Sequence, residues 1–333
     1  MQHRVVLARR PSGIPRAEDF RVEWVPVLPL ADGEVRVANR LLSIDPAIRG
    51  FLDDRPSYLP PVAIGEVIRG MILGEVVESR NPSIALGVHV RALAGWEEFS
   101  VLRTDALGLE TVAARVGTPL EYYMGALGPA GLTAWIGLNE IAQITPGQTL
   151  LVSAAAGAVG SVAGQIGRLQ GSRVIGIAGS RAKLETLKAL GYHEAINYRA
   201  TPDLSEAIRT ACPAGIDVYF DNVGGATLET VLPLMRIHGR IVVCGMVSDY
   251  NHQDTPYPVR TLWQIVVKRL TLRGFLTYEH AARIPQAQRE LDEWVRSGAL
   301  RAIDNIHEGI SSAPGALTAL MSGDTVGKTL VRI

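Results

Sequence analysis

Between residues 149 and 276 the chain alternates short apolar runs with stretches of helical period. Thr149–Ala156 (TLLVSAAA) is continuously apolar and predicts a buried strand, and Ala158–Leu169 follows with helical spacing. Arg173–Ala178 (RVIGIA) predicts a second strand, and Arg181–Leu190 a second helix ended by Gly191. A short strand over Glu194–Asn197, a helix near Leu204–Ala211, and strands over Ile216–Asp221, Arg240–Gly245 and Leu270–Phe275 continue the alternation. Strands separated by helices of this length form parallel βαβ units, so the pattern predicts an α/β, doubly wound Rossmann sheet.

The flanking segments have a different texture. Residues 1–121 carry short strand-like runs such as Glu34–Asn39 (EVRVAN) and Ile72–Val77 (ILGEVV), separated by Pro- and Gly-rich turns, and predict a β-rich, barrel-like unit. Met124–Leu138 (MGALGPAGLTAWIGL) is small and apolar, and helical in spacing after its Gly-Pro break. A helix near Gln286–Ser297 precedes a tail whose last residues, Gly327–Ile333 (GKTLVRI), predict a strand. The Rossmann unit is complete without that tail. Residues 1–121 and 292–333 are therefore expected to form a substrate domain, and 122–291 a nucleotide-binding domain.

Composition narrows the partner. Lys plus Arg equals Asp plus Glu, 33 of each, so no net field favours nucleic acid or an anionic membrane. No uninterrupted apolar run is long enough to span a bilayer, and the start lacks a signal-peptide segment, which makes a cytoplasmic location the expectation. Cys212 and Cys244 are the only cysteines and are expected to be reduced, packed thiols. The partner indicated is a small molecule.

Ala155–Gly160 reads Ala-Ala-Gly-Ala-Val-Gly, a variant of the dinucleotide fingerprint, in the required place between strand and helix. Gly157 would let backbone approach a pyrophosphate, and Gly160 would allow close helix–strand packing, with Ala158 and Val159 between them. The helix start would supply N–H groups and partial positive charge. The end of the second strand separates NAD from NADP. An acid there accepts from the ribose 2′-OH, whereas this chain has Gly179-Ser180-Arg181-Ala182-Lys183. Lys183 or Arg181 could pair with a 2′-phosphate and Ser180 could donate to it, so NADP(H) is the predicted cofactor. The seven histidines show no metal-ligand spacing with either cysteine, and where a zinc enzyme would carry Gly-His-Glu the chain reads Leu73-Gly74-Glu75, so no metal is expected. Without a metal to polarise an alcohol, the economical reaction is hydride transfer to an electrophilic carbon such as the β-carbon of an enone.

The whole chain resembles the zinc-independent prostaglandin reductase and 2-alkenal reductase family of medium-chain dehydrogenase/reductases, and its bacterial curcumin reductase branch in particular. The carrying motifs are Ser43–Gly50 (SIDPAIRG), Pro56–Pro61 (PSYLPP), Ala154–Gly160 (AAAGAVG), Tyr219–Gly225 (YFDNVGG), Cys244–Asn251 (CGMVSDYN) and Gly327–Val331 (GKTLV). The resemblance implies a GroES-like barrel beside the Rossmann domain, a homodimer, and NADPH-dependent reduction of α,β-unsaturated carbonyl compounds. It implies Lys183 and Tyr198 at the 2′-phosphate and Asn222 near the ribose. Cys244, Gly245, Met246, Val247, Ser248 and Tyr250 would pass the nicotinamide, with Phe275, Leu276 and Thr277 lining the same crevice. Tyr257 matches the family tyrosine that assists catalysis, with Tyr250 as its rival. Arg49, Tyr58, Trp96 and Trp263 are candidate substrate contacts; Trp96 could stack on a planar substrate.

Three positions depart from the family pattern. Ala47 and Ile48 replace Tyr-Met in the DPxxRG motif, Gly128-Pro129-Ala130-Gly131 replaces Gly-Met-Pro-Gly, and Thr325 stands where the tail asparagine approaches the cofactor. Two other readings remain open from sequence: a quinone reductase of the same fold, and a catalytically silent NADPH-binding sensor.

Overall fold

A computed structural model describes residues 1–252 and 255–333. The chain divides into two compact units. One comprises residues 1–124, 304–325 and 329–333, and the other 125–303 and 326–328.

In the first unit, Glu34–Ser43, Arg69–Ser79 and His89–Gly95 form the centre of a seven-stranded sheet. Phe99–Arg103 pairs with Glu34–Ser43 along residues 34–38, and the chain's last strand, Lys328–Arg332, pairs antiparallel with residues 41–43 of the same strand. The tail thus completes this sheet, and Val331 and Leu330 are fully buried in it. A separate hairpin pairs Gln2–Leu7 with Phe20–Val25.

The second unit is built on six parallel strands. Across the sheet they run Glu194–Asn197, Arg173–Ala178, Thr149–Val152, Ile216–Asp221, Met235–Val243 and Thr271–Gly274. Numbered by sequence within this unit, the order is 3-2-1-4-5-6, the doubly wound arrangement with its switch point between Thr149–Val152 and Ile216–Asp221. Leu150, Leu151, Val152, Val218, Tyr219 and Phe220 at the centre are wholly buried, which is why these strands read as continuous apolar runs rather than alternations.

One boundary differs from expectation. The anticipated division at 292 falls inside the helix Ile284–Arg296, whose Ala287 and Leu291 are buried, and residues through 303 stay with the second unit. The helix expected after the Gly128-Pro129 break is present as an α-helix over Pro129–Ile136, followed by a π turn over Gly137–Ile141. Pro129 suits only the first turn of a helix, and it starts one here. Gly131 is indispensable to the close return of the chain, since a Cβ there would lie 1.8 Å from the Ala126 carbonyl oxygen.

Candidate functional site

The switch point carries the candidate site, and it lies within the second unit. After Thr149–Val152 the chain turns through Ser153–Gly157 into the helix Ala158–Leu169. Gly157 is its N-cap in extended geometry, and its amide donates to the Ala154 carbonyl at 2.9 Å. A Cβ on Gly157 would sit 3.2 Å from that oxygen, and one on Gly160 only 2.5 Å from it. The turn therefore closes on bare backbone, and the first N–H groups of the helix have no acceptor within it. That is the fit a pyrophosphate requires. Ala158 and Val159 occupy the first turn. The backbone of Gly327 joins the same turn, donating to the Ala156 carbonyl at 2.7 Å.

Tyr192 fixes the helix from behind. Its hydroxyl donates to the Gly160 carbonyl at 2.6 Å, and its ring occupies the space over Gly164, where a Cβ would come within 2.0 Å of it.

The second strand ends at Ala178 beside Asn197 of the third. Gly179 and Tyr198 leave these adjacent ends, with the Tyr198 amide donating to the Ala178 carbonyl at 3.1 Å. Ser180 caps the next helix, its Oγ accepting from the Lys183 amide at 3.4 Å. Lys183 lies on the first turn, half-buried. Arg181 is turned away: its side chain is 92% exposed and paired with Glu185 at 3.0 Å. Arg199, which the sequence reading passed over, donates from Nε to the Tyr198 hydroxyl at 3.2 Å. Its position directly after Asn197-Tyr198 was the available signal.

On the other side of the switch point a buried polar network joins three loops. Asp221 is fully buried, and its Oδ1 accepts from Ser153 Oγ at 2.9 Å, Tyr219 OH at 2.7 Å, and the amides of Val223 and Gly224 at 2.9 and 3.0 Å. Its Oδ2 meets no hydrogen-bond partner. Burial holds its carboxyl above the ordinary aspartate range, against the pull of these donors. Asn222 clamps the same serine, donating from its amide to Ser153 Oγ at 2.9 Å and from Nδ2 to the Ser153 carbonyl at 2.7 Å. The amides of Cys244 and Gly245 donate to the Asp221 carbonyl, and that of Ser248 to the Val223 carbonyl. Asn222 and the Cys244–Ser248 loop, including Met246 and Val247, are thereby brought together. Ser153 and Asp221 were missed; Ser153 directly precedes Ala154–Gly160, and Asp221 lies inside Tyr219–Gly225.

Cys244 is half-buried, and burial and then the Asp221 carboxyl push its thiol up to about 12, so it is neutral rather than nucleophilic. Cys212 is buried and also free, and burial pushes it up to about 11. Tyr250 folds back under the loop, accepting from the Met246 amide at 3.4 Å. Tyr257 lies on the following segment, 38% exposed, with its hydroxyl donating to the Glu229 carboxylate. Asp254, three residues before it, lies outside the described residues. Because Val243 pairs with Gly274, Phe275, Leu276 and Thr277 leave the sheet next to Cys244.

The first-unit candidates divide sharply. Trp96 is 0% exposed, its ring 6.1 Å from that of Phe20, so it has no face to offer a substrate. Arg49 is 3% exposed and is consumed by Asp53 at 2.8 Å and the Gly13 carbonyl at 2.9 Å. Both are framework residues, contrary to expectation; sequence gave no sign of how deeply the sheet and the 11–13 loop would enclose them. Tyr58 is 54% exposed and packs edge-on against Phe51. Trp263, in the second unit, is 68% exposed, and Thr325 is half-buried. Among the described residues no three His, Cys, Asp or Glu side chains converge to hold a metal ion, and no helix is long and apolar enough to cross a membrane.

Residues 3–111 match the family described as the N-terminal domain of oxidoreductase, and residues 158–293 the family described as zinc-binding dehydrogenase. The chain is 38% identical over 99% of its length, and 96% of the relative's, to an NADPH-dependent curcumin reductase of Escherichia coli. It is 36% identical to an NADP(+)-dependent 2-alkenal reductase of Nicotiana tabacum, over 99% of this chain and 96% of that one. Among solved structures, that of CurA in complex with NADPH from Vibrio vulnificus superposes with a TM-score of 0.93 at 35% identity, covering 99% of this chain and 98% of that one.

Proposed function

We propose that this chain, which belongs to the prostaglandin reductase and 2-alkenal reductase family of medium-chain dehydrogenase/reductases, reduces the C=C bond of α,β-unsaturated aldehydes and ketones with NADPH and without a metal. The observation that carries the reading is the switch point itself. A glycine cradle lies on one side, and on the other a neutral loop is laced to Asn222 by the Asp221–Ser153 network.

When bound, NADPH supplies the hydride that adds to the substrate's β-carbon. The Gly157–Gly160 turn and the helix start hold the pyrophosphate, and Ser180, Lys183 and Tyr198 face the adenosine 2′-phosphate. Asn222, held by Ser153, orients the ribose. Cys244 to Tyr250 and Phe275 to Thr277 form the wall beside the nicotinamide, with the Cys244 thiol protonated and inert. Tyr257, on turning from Glu229, donates a hydrogen bond to the carbonyl oxygen of the substrate, where negative charge develops as the β-carbon is reduced, and the α-carbon then takes a proton from water. Tyr58 is the remaining substrate candidate of the first unit. Thr325 carries a hydroxyl at the position where the family resemblance implies an amide.

We also propose a homodimer. Leu262, Trp263, Val266 and Val267 expose one apolar face on and beside the helix Trp263–Lys268, and Thr271–Gly274 is an edge strand of the six-stranded sheet. Trp263 fits that face better than a substrate contact. Two free, protonated thiols accord with a cytoplasmic location.

The test is NADPH consumption with alkenals, enones, diarylheptanoid dienones and quinones, repeated with NADH and with a chelator. Chelator-insensitive, NADPH-selective reduction of enones to saturated carbonyl products is the expected result. Preference for quinones selects a quinone reductase, and cofactor binding without turnover of any acceptor overturns the enzyme reading.

A further inference from the structure

We infer that Arg199 is a specificity residue for the cofactor's 2′-phosphate, acting as one unit with Tyr198. The inference rests on the NADPH reading above and extends it to a residue outside the expected set.

The geometry begins at Gly179. In a site for the unphosphorylated cofactor, an acid near this strand end accepts from the ribose 2′-OH. Here the position has no side chain, and the space a Cβ would take is already filled. Such an atom would lie 2.9 Å from Tyr198 Cε1 and 3.2 Å from Arg199 Nε. The two side chains are thus laid across the end of the second strand, at the place where the ribose edge is read.

They are also joined to each other. Arg199 Nε donates to the Tyr198 hydroxyl oxygen at 3.2 Å, and the guanidinium carbon lies 5.8 Å from the centre of the Tyr198 ring. A tyrosine hydroxyl that accepts from arginine keeps its own proton, and that proton can go to a phosphate oxygen. The guanidinium beside it contributes a fixed positive charge and planar donors, the combination suited to a phosphate. Arg181, the cation nearest in sequence to Gly179, is instead tied to Glu185 along its own helix. The site therefore takes its arginine from the third strand's end, with Lys183 on the first turn of the helix that follows Gly179.

The test is a binding titration, independent of turnover, of the full chain with 2′,5′-ADP and with 5′-ADP. Parent, Arg199→Gln, Arg199→Lys and Lys183→Ala are compared, with melting temperature as a control. Arg199→Gln is expected to weaken 2′,5′-ADP about tenfold or more, the range of a lost charge-assisted contact, and to leave 5′-ADP and melting unchanged. Arg199→Lys should recover part of the loss. If Arg199→Gln binds 2′,5′-ADP like the parent while Lys183→Ala does not, Arg199 has no such role and the NADPH reading stands. Equal weakening of both nucleotides, or a lowered melting temperature, makes Arg199 structural. A parent that fails to distinguish the two nucleotides overturns the NADPH reading and this inference together.

Discussion

The hydroxyl of Tyr257 donates to the carboxylate of Glu229, four residues into the helix Gly225–Val231. The Arg260 guanidinium lies 5.9 Å from the Tyr257 ring centre, and the Arg260 amide donates to the other Glu229 oxygen at 3.0 Å. The hydrogen bond to Glu229 holds the Tyr257 phenol above its ordinary range and Glu229 below its own. The phenol is thus kept protonated, and its one proton reaches a substrate carbonyl only when the hydroxyl turns away from Glu229.

Replacing Tyr257 by Phe should lower kcat by roughly 10²-fold, the usual scale for a lost general acid, while NADPH affinity stays nearly constant. Glu229→Gln should act on the pH profile instead. Without the carboxylate the phenol ionises at lower pH, so the alkaline limb of kcat moves down. Unimpaired turnover in the Phe variant would remove Tyr257 from the mechanism and turn attention to Tyr250.

Asp221 makes a prediction about stability. Its folded-state pKa is raised by burial, so the native state binds this proton more tightly than the unfolded chain does. Its contribution is therefore full below about pH 4, the unfolded value, and is lost as pH rises through the folded one. The melting temperature of the parent relative to Asp221→Asn should fall as pH is raised from about 4 toward 7. Asp221→Ala should cost about 3 kcal/mol or more, because the donors of Ser153, Tyr219, Val223 and Gly224 lose one buried acceptor together. A pH-independent difference between the parent and Asp221→Asn would mean that those donors fully offset the burial.

Much of this site could be read before any coordinates. Continuous apolar runs and the spacing of Gly157 and Gly160 reflect local requirements, namely strands buried on both faces and a turn without room for Cβ atoms. The absence of an acid after Ala178 was equally local. What stayed hidden depends on residues distant in sequence. The Ser153–Asp221 pair joins loops 68 residues apart. Trp96 and Arg49 looked like candidate contacts because nothing in their own segments shows what encloses them. Arg181 is a partial exception: Glu185 stands four residues on, and an i,i+4 pair was a ready competitor for its charge.

Gly164 tests how the fingerprint helix is held. A methyl group there would collide with the Tyr192 ring, and moving that ring breaks its bond to the Gly160 carbonyl. Gly164→Ala should destabilise the fold by about 2 kcal/mol or more, with NADPH affinity falling less than stability. Gly160→Ala strikes backbone instead, at the Ala154 carbonyl, and should reduce cofactor affinity directly. Combining Gly164→Ala with Tyr192→Ala should cost less than the sum of the two single changes, since the collision has gone. Strict additivity in thermal unfolding would show that the ring is not what excludes the methyl group.

The apolar face at Leu262, Trp263, Val266 and Val267 separates two uses of one tryptophan. These positions fall at i, i+1, i+4 and i+5, one side of a helix, and all are exposed. If that side packs against a second copy beside the edge strand Thr271–Gly274, Trp263→Glu places a charge in a dry contact and should yield a monomer by light scattering. The monomer should still bind NADPH, because the glycine cradle and the Asp221 network lie within one chain. Should the variant keep the parent's mass while its KM for the enone rises, Trp263 touches substrate and the dimer must be sought on another surface.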